Sequence, residues 1–194
     1  MAYFDSIQSL VSAATEANIL ILRETAENVT ELHRRIFGEP LADDIASAGY
    51  PGGIAIPWTV EELLFYSLED LPDRQAGYRC DANTNTPSVD WDADRYVLAD
   101  WGANPISIGK DGTICYSRHG DGDWSYIPLA PDLPAFFTIL AAWLRYFVVE
   151  KGSNLFDNNF EIAQDTRDAL TSIVLAETSP EYRNAAMRFL LGEI

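Results

Sequence analysis

The side chains best suited to chemistry are Cys115, His119, Asp121 and Asp123, which lie close together in the sequence. A thiol nucleophile needs a neighbouring base and a carboxylate that orients this base. Cys115 is expected on a strand that enters a turn and His119 follows beyond it, so that several residues of strand rise separate the two side chains. A small hydrolase that uses Cys115 and His119 is therefore the least favoured alternative. A packed cysteine and a turn histidine are the simpler interpretation.

The carboxylates of Asp111, Asp121 and Asp123 invite comparison with a calcium site, but they are too few. A Ca²⁺ loop needs more oxygen ligands and a later glutamate, and no Glu stands at that spacing. The two cysteines and two histidines do not have the spacing of a zinc site. A glycine-rich phosphate loop between a strand and a helix is also missing. We therefore expect no catalytic residue, no metal and no cofactor.

The stretch from Tyr96 to Trp124 predicts the sheet that would position these residues. Ile106 and Ile108 alternate with small residues and so share one face of a strand. Asp111-Gly112 predicts a tight hairpin with both central residues at positive φ, and Gly120-Asp121-Gly122 predicts a second turn. We expect strands near 95–100, 104–109, 112–118 and 123–128, paired in sequence order as an antiparallel meander, and helices packed around it.

Helical periodicity and capping signals predict the rest of an α+β single domain of 194 residues. Its parts are an N-terminal helical region with a loop (1–57), a core (58–151) and a C-terminal helical extension (152–194). Before the sheet we expect one long or two short helices over 4–36 with a break near Asn28, then a loop over 38–57 with one helical turn at 41–46. The capping box Thr59-Val60-Glu61-Glu62 predicts a helix over 59–68, which a strand over 77–80 and an acidic surface loop over 81–94 follow. After the sheet we expect a helix from Asp132 to Lys151-Gly152, a helix capped by Asn158 or Asn159, and a last helix from Ser179-Pro180.

The charge of the chain limits the classes of molecule that it can bind. The net charge is −17, and residues 36–73 carry eight acids and no Lys or Arg. This balance disfavours nucleic acid and anionic membranes, and it favours either solubility alone or a basic partner. The first residues lack the features of a secretory signal. The apolar run 138–149 contains Arg145 and is too short to span a bilayer. Two free thiols are consistent with a reducing compartment. We expect a cytoplasmic protein.

Three segments resemble the SUKH superfamily, which includes fungal cell-wall assembly regulators and many bacterial immunity proteins of toxin systems. They are ADWGANPI (99–106), KDGTICYSRHGDGDW (110–124) and LAPDLPAFF (129–137). The resemblance is closest over 96–137 and weaker over 58–95, where TVEELLFY occupies the place of the family's opening helix. It implies an antiparallel sheet flanked by helices, and protein binding without catalysis. The matching positions are Trp101, Asn104, Pro105, Asp111, Gly112, His119, Gly120 and Trp124.

The resemblance and the charge together favour an immunity protein that neutralises a basic toxin domain, such as a nuclease, through an acidic surface. The alternative is a scaffold or regulator with a non-toxin partner. The oligomeric state stays undetermined. Trp101 or Trp124 would anchor the partner, while a competing interpretation makes both tryptophans core residues and the acids a means of solubility. The residues expected to bind the partner are Asp100, Trp101, Asn104, Asp111, His119, Asp121, Asp123 and Trp124, with further acids from 36–73 and 81–94.

Overall fold

A computed structural model describes residues 2–25, 27, 29–59, 61–120 and 123–193. It has the predicted α+β fold, in which helices flank an antiparallel sheet. Six strands pair strictly in sequence order, and two further strands, β1 and β2, form a separate ribbon. The strands are β1 (Leu22–Glu24), β2 (Tyr50–Gly52), β3 (Ala55–Ile56), β4 (Leu63–Phe65), β5 (Arg95–Trp101), β6 (Asn104–Gly109), β7 (Ile114–Tyr116) and β8 (Ile127–Ala130).

The central hairpin confirms the predicted register but not the predicted turn. Ile106 pairs with Tyr116, and Ile108 pairs with Ile114. The turn has Gly112 alone at positive φ (88°), and the Gly112 N–H donates to Gly109 O at 2.9 Å. This is the three-residue loop in which a glycine follows an ordinary turn, and it replaces the two-residue turn that we expected. The fourth strand of the predicted meander is also displaced, because it begins at Ile127 rather than near 123.

The predicted central helix is confirmed at both ends. Helix α4 (Leu133–Trp143) starts where Asp132 Oδ1 accepts a hydrogen bond from the Ala135 N–H at 2.8 Å. It continues as a π-helical segment (Leu144–Glu150) and ends at Lys151 and Gly152, whose φ is 60°. Helix α1 packs along α4, so the N-terminal region shares one hydrophobic cluster with the sheet. The other helices are α1 (Tyr3–Glu16), α2 (Glu31–Phe37), α3 (Glu39–Ala48), α5 (Gln164–Glu177) and α6 (Arg183–Leu190).

The apolar helix also bears on the membrane question. Together α4 and the π-helical segment span 18 residues with a mean hydropathy of 1.4, which by length and composition is enough to cross a membrane. The apolar run 138–149, which is too short to span a bilayer, is therefore only part of a longer helix. However, 61% of this window is buried inside the fold, as in the core helix of a soluble protein.

The predicted helix over 4–36 was wrong between α1 and α2. Helix α1 ends because Asn18 takes φ 58° while the Ile19 N–H donates to Ala14 O at 2.8 Å. Asparagine is common at this helix-ending position, so the signal was present in the sequence. The chain then forms β1, paired with β2. The predicted break at Asn28 lies outside the described residues. The helical turn expected within 38–57 is confirmed, but it is the longer helix α3.

The predicted helix over 59–68 is instead strand β4. Leu63 and Phe65 are fully buried whereas Leu64 is less so, which is the alternation of a strand. Pairing with β5 on one side and β3 on the other outweighs the local capping signal. Val60 of that signal lies outside the described residues. The strand predicted over 77–80 was also wrong, because these residues form a turn with isolated bridges. Two helices start later than predicted: α5 starts at Gln164 rather than at Asn158 or Asn159, and α6 starts at Arg183 rather than at Ser179-Pro180.

Candidate interaction surface

The two faces of the sheet differ in side-chain size. One face carries Ile106 and Tyr116 toward the helices, and Tyr116 meets Phe189 of α6 with ring centroids 5.9 Å apart. The other face carries small residues, because Ser107 pairs with Cys115 and both are buried. Small side chains on a sheet leave room for large groups above them. Four aromatic residues from the loop before β5 and from the segment before β8 belong to the hydrophobic core or pack against it.

These aromatic residues form a continuous row, which we call the aromatic strip: Tyr78, Trp91, Trp124 and Tyr126. The ring centroids of Trp124 lie 5.7 Å from Tyr78 and 5.0 Å from Trp91, and Trp91 lies 5.5 Å from Tyr126. The arrangement is tilted or edge-to-face, which is the favoured geometry for aromatic pairs. Trp91 is buried, whereas the other three are half-buried. The strip therefore presents aromatic edges to solvent from a fixed base.

Trp124 differs from the other four tryptophans in its indole N–H. Each of the others donates to a backbone carbonyl: Trp58 to Phe189, Trp91 to Arg95, Trp101 to Glu61 and Trp143 to Pro57, at 3.0 to 3.2 Å. Within the part of the chain that the structure describes, Trp124 Nε1 has no acceptor, and the ring is half-buried. A tryptophan with an apolar body and an unused donor suits a contact with another molecule.

Carboxylates border one end of the strip. The Tyr126 hydroxyl accepts a hydrogen bond from the Asp92 N–H at 2.7 Å, and the Arg95 guanidinium lies 4.8 Å from the Tyr126 ring centroid. Asp92, Asp94 and Asp111 line a cleft of about 460 Å³ beside Arg95. A hydrogen bond from the Thr113 N–H lowers the pKa of Asp111, so that this carboxylate stays charged well below neutral pH. Three carboxylates thus stand against the two basic side chains Arg95 and Lys110, and the acidic excess at this end of the strip is small.

At the other end of the strip, the Asn104 side chain connects predicted residues through two hydrogen bonds to backbone groups. Asn104 Oδ1 accepts from the His119 N–H at 2.9 Å, and Asn104 Nδ2 donates to Trp101 O at 3.0 Å. The His119 ring lies 5.9 Å from Trp124. Asp123 is exposed beside them, and Asp121 lies outside the described residues. Asn104, His119 and Trp124 thus lie close together.

Trp101 and Asp100 have structural partners instead. Trp101 is only 7% exposed and packs on Phe189 with ring centroids 5.7 Å apart, so in this conformation it is a core residue and an anchor role for it was the wrong expectation. Asp100 accepts a hydrogen bond from the Tyr66 hydroxyl, and burial, followed by this bond, raises the pKa of Tyr66. The Asp100 carboxylate is therefore already bound within the chain.

The acids of the predicted docking surface divide into two groups. Asp92, Asp94 and Asp111 border the strip, whereas Glu39 and Asp43 on α3 bind Arg34, with the Arg34–Asp43 contact at 2.8 Å. Glu39 and Asp43 of the 36–73 segment are thus already paired within the chain. Sequence reasoning also missed Tyr78, Trp91 and Tyr126. Their one signal was the presence of large aromatic residues in turn-rich, acidic stretches, where solvated loops seldom carry them.

The groups that could support catalysis are placed unfavourably for it. Cys115 is buried, and this burial raises the pKa of its thiol to about 11, so the nucleophilic thiolate is scarce at neutral pH. His33 is buried with both ring nitrogens occupied: Nδ1 accepts from the Thr30 N–H at 2.9 Å, and Nε2 lies 2.7 Å from Leu68 O. Both cysteines are free thiols. Among the described residues, no three His, Cys, Asp or Glu side chains are grouped to hold a metal ion.

Comparison with protein-family models, with curated proteins and with solved structures finds no match to this chain.

Proposed function

We propose that this chain is a non-catalytic, cytoplasmic protein-binding domain, and that it acts as an immunity protein against a basic toxin domain. The observation that carries the proposal is Trp124, a half-buried tryptophan whose indole N–H has no hydrogen-bond acceptor among the described residues. It is held by three other rings, so it loses little conformational freedom on binding. Rigid aromatic residues of this kind dominate the binding energy of many interfaces.

The acidic residues give the proposal its partner class. A net charge of −17 attracts a basic protein and repels nucleic acid. Asp92, Asp94 and Asp111 stand at the edge of the strip, where exposed carboxylates mainly steer the encounter. A nuclease domain is built to bind phosphate, so a carboxylate-bearing surface can occupy its site. The resemblance to the SUKH superfamily, many of whose bacterial members are immunity proteins, supports the same conclusion.

The test uses the protein encoded by the gene adjacent to that of this chain. We expect co-expression to relieve its toxicity, and the two purified proteins to form a complex. Trp124→Ala should weaken the complex at least about 30-fold, which corresponds to about 2 kcal/mol, because the anchor is removed. The loss should appear in the dissociation rate. Phe4→Ala is the matched control, since Phe4 is also aromatic, is 56% exposed and lies on α1.

The steering role of the acids has its own measurement. Asp92→Lys combined with Asp94→Lys should lower the association rate about tenfold at low salt, and the difference should shrink at high salt because screening removes it. Asp44→Lys, a reversal of an exposed acid on α3, should have a much smaller effect. A complex that is indifferent to Trp124→Ala and to the double reversal would show that the strip is not the binding surface. A partner that is bound but is not toxic would favour the scaffold alternative.

A further inference from the structure

A short loop before α5 holds an exposed phenylalanine in a fixed conformation. The loop begins and ends with the antiparallel bridge between Phe156 and Ile162. Inside it, the Asp157 N–H donates to Glu161 O at 2.9 Å. Asp157 Oδ1 accepts from the Asn159 N–H at 2.7 Å and from the Glu161 N–H at 3.1 Å. Leu155, which is 4% exposed, attaches the loop to the core. The conformation of this loop is therefore fixed by hydrogen bonds and by its contact with the core.

Phe160 is an unfavourable residue at this position for two independent reasons. Its φ is 61°, a left-handed conformation that a bulky side chain adopts at a cost in free energy. Its side chain is 86% exposed, so the strain is not offset by burial of the ring. Glycine or asparagine would take the same backbone conformation more readily. The identity of Phe160 is thus not explained by folding of the chain.

We propose that Phe160 is an anchor that inserts into an apolar pocket of a protein partner, and that basic residues surround this pocket. The charges on the loop define the partner. Asp157 and Glu161 flank Phe160, and the sequence has no Lys or Arg between Lys151 and Arg167. The hydrogen bonds from the Glu161 and Asn159 N–H groups lower the pKa of Asp157, which keeps that carboxylate charged. An exposed aromatic ring among acids complements an apolar pocket with a basic rim.

This inference rests on the proposed function in one respect, because the same basic partner is taken to supply the pocket. The surface itself is separate from the aromatic strip. The loop leads directly into α5, which packs on α4 and α6 in the helical layer. The aromatic strip comes instead from the loop before β5 and the segment before β8, so Trp124 and Phe160 belong to different parts of the chain. The two contacts can therefore be removed one at a time.

The experiment measures stability and binding of the same variants. Phe160→Gly and Phe160→Asn should leave the thermal midpoint unchanged or raise it, because they relieve the strain at positive φ. Both should increase the dissociation rate of the complex with the adjacent-gene protein at least tenfold, with little change in the association rate. Phe4→Gln is the matched control: it removes another exposed phenylalanine and should leave the dissociation rate unchanged.

Four outcomes would overturn the inference. A lower thermal midpoint for both Phe160 variants would show that the ring supports the fold. Unchanged dissociation of the Phe160 variants, with a weakened complex for Trp124→Ala, would remove the anchor and leave the proposed function intact. Absence of any complex with the wild-type chain would remove both. Sedimentation of the wild-type chain as a dimer that Phe160→Gly converts to a monomer would assign the ring to self-association instead.

Discussion

Replacement of Trp143 by alanine tests the packing between the sheet and the helical layer. Trp143 is fully buried on α4. Its ring stacks on Phe147 with centroids 4.6 Å apart and lies 4.5 Å from Trp58. Its indole N–H donates to Pro57 O at 3.0 Å, which ties α4 to the segment between β3 and β4. The substitution removes both the ring contacts and the hydrogen bond.

The expected loss of stability is large. Truncation of a buried aromatic residue to alanine costs about 3–5 kcal/mol, because burial is lost and a cavity is left. The part-buried carbonyl of Pro57 also loses its donor, and an unsatisfied polar group costs roughly 1–3 kcal/mol where it is shielded from water. We therefore expect a loss of about 5 kcal/mol, a substantial share of the roughly 5–15 kcal/mol by which folded proteins exceed their unfolded states. Trp143→Phe keeps most of the stacking and should lose about 2 kcal/mol, near the cost of the missing donor.

The assay is urea denaturation followed by far-ultraviolet circular dichroism, which does not depend on the removed indole. The denaturation midpoint should fall from wild type through Trp143→Phe to Trp143→Ala, with the slope unchanged if unfolding stays two-state. Trp124→Ala is the matched control. Its indole N–H has no acceptor in the described chain and its ring is half-buried, so it should lose much less stability. Equal midpoints for Trp143→Ala and wild type would refute the packing argument.

Two further predictions concern titrating groups. Cys80 should react with iodoacetamide at pH 8 much faster than Cys115, because Cys115 is buried with a thiol pKa of about 11 while Cys80 is half-buried. The two reaction rates are measured in a mass-spectrometric time course. Equal rates would contradict the burial of Cys115. Burial raises the pKa of Glu24 above its ordinary value of 4.5, although the Leu68 N–H bound to its carboxylate opposes this. The folded state then holds the proton more tightly, so the contribution of Glu24 to stability is fully present below its unfolded pKa and is lost as pH rises through its folded pKa. Glu24→Gln should therefore reduce the fall in urea midpoint between pH 4.5 and 7, and a fall identical to that of wild type would contradict the shift.

Local chemistry alone determined the centre of this fold. The alternation of Ile106 and Ile108 with small residues and the Asp111-Gly112 pair fix a hairpin whose register the structure confirms. Asp132, an early proline and the closing Gly152 fix the limits of the central helix in the same way. Each of these signals acts between residues that are near neighbours in the chain. No distant partner is needed for them to take effect.

Tertiary structure decided what depends on distant partners. The stretch around Leu63 had the local signals of a helix, yet pairing with Trp101 and its neighbours in β5 makes it a strand. Trp101 and Trp124 were equivalent candidates in the sequence. Only packing decided that Phe189 and the Glu61 carbonyl enclose the first. The second joins Tyr78 and Trp91, and no described residue accepts from its indole N–H. The reason is physical: burial and hydrogen-bond satisfaction depend on which remote groups arrive at a residue, and near neighbours in the sequence do not specify them.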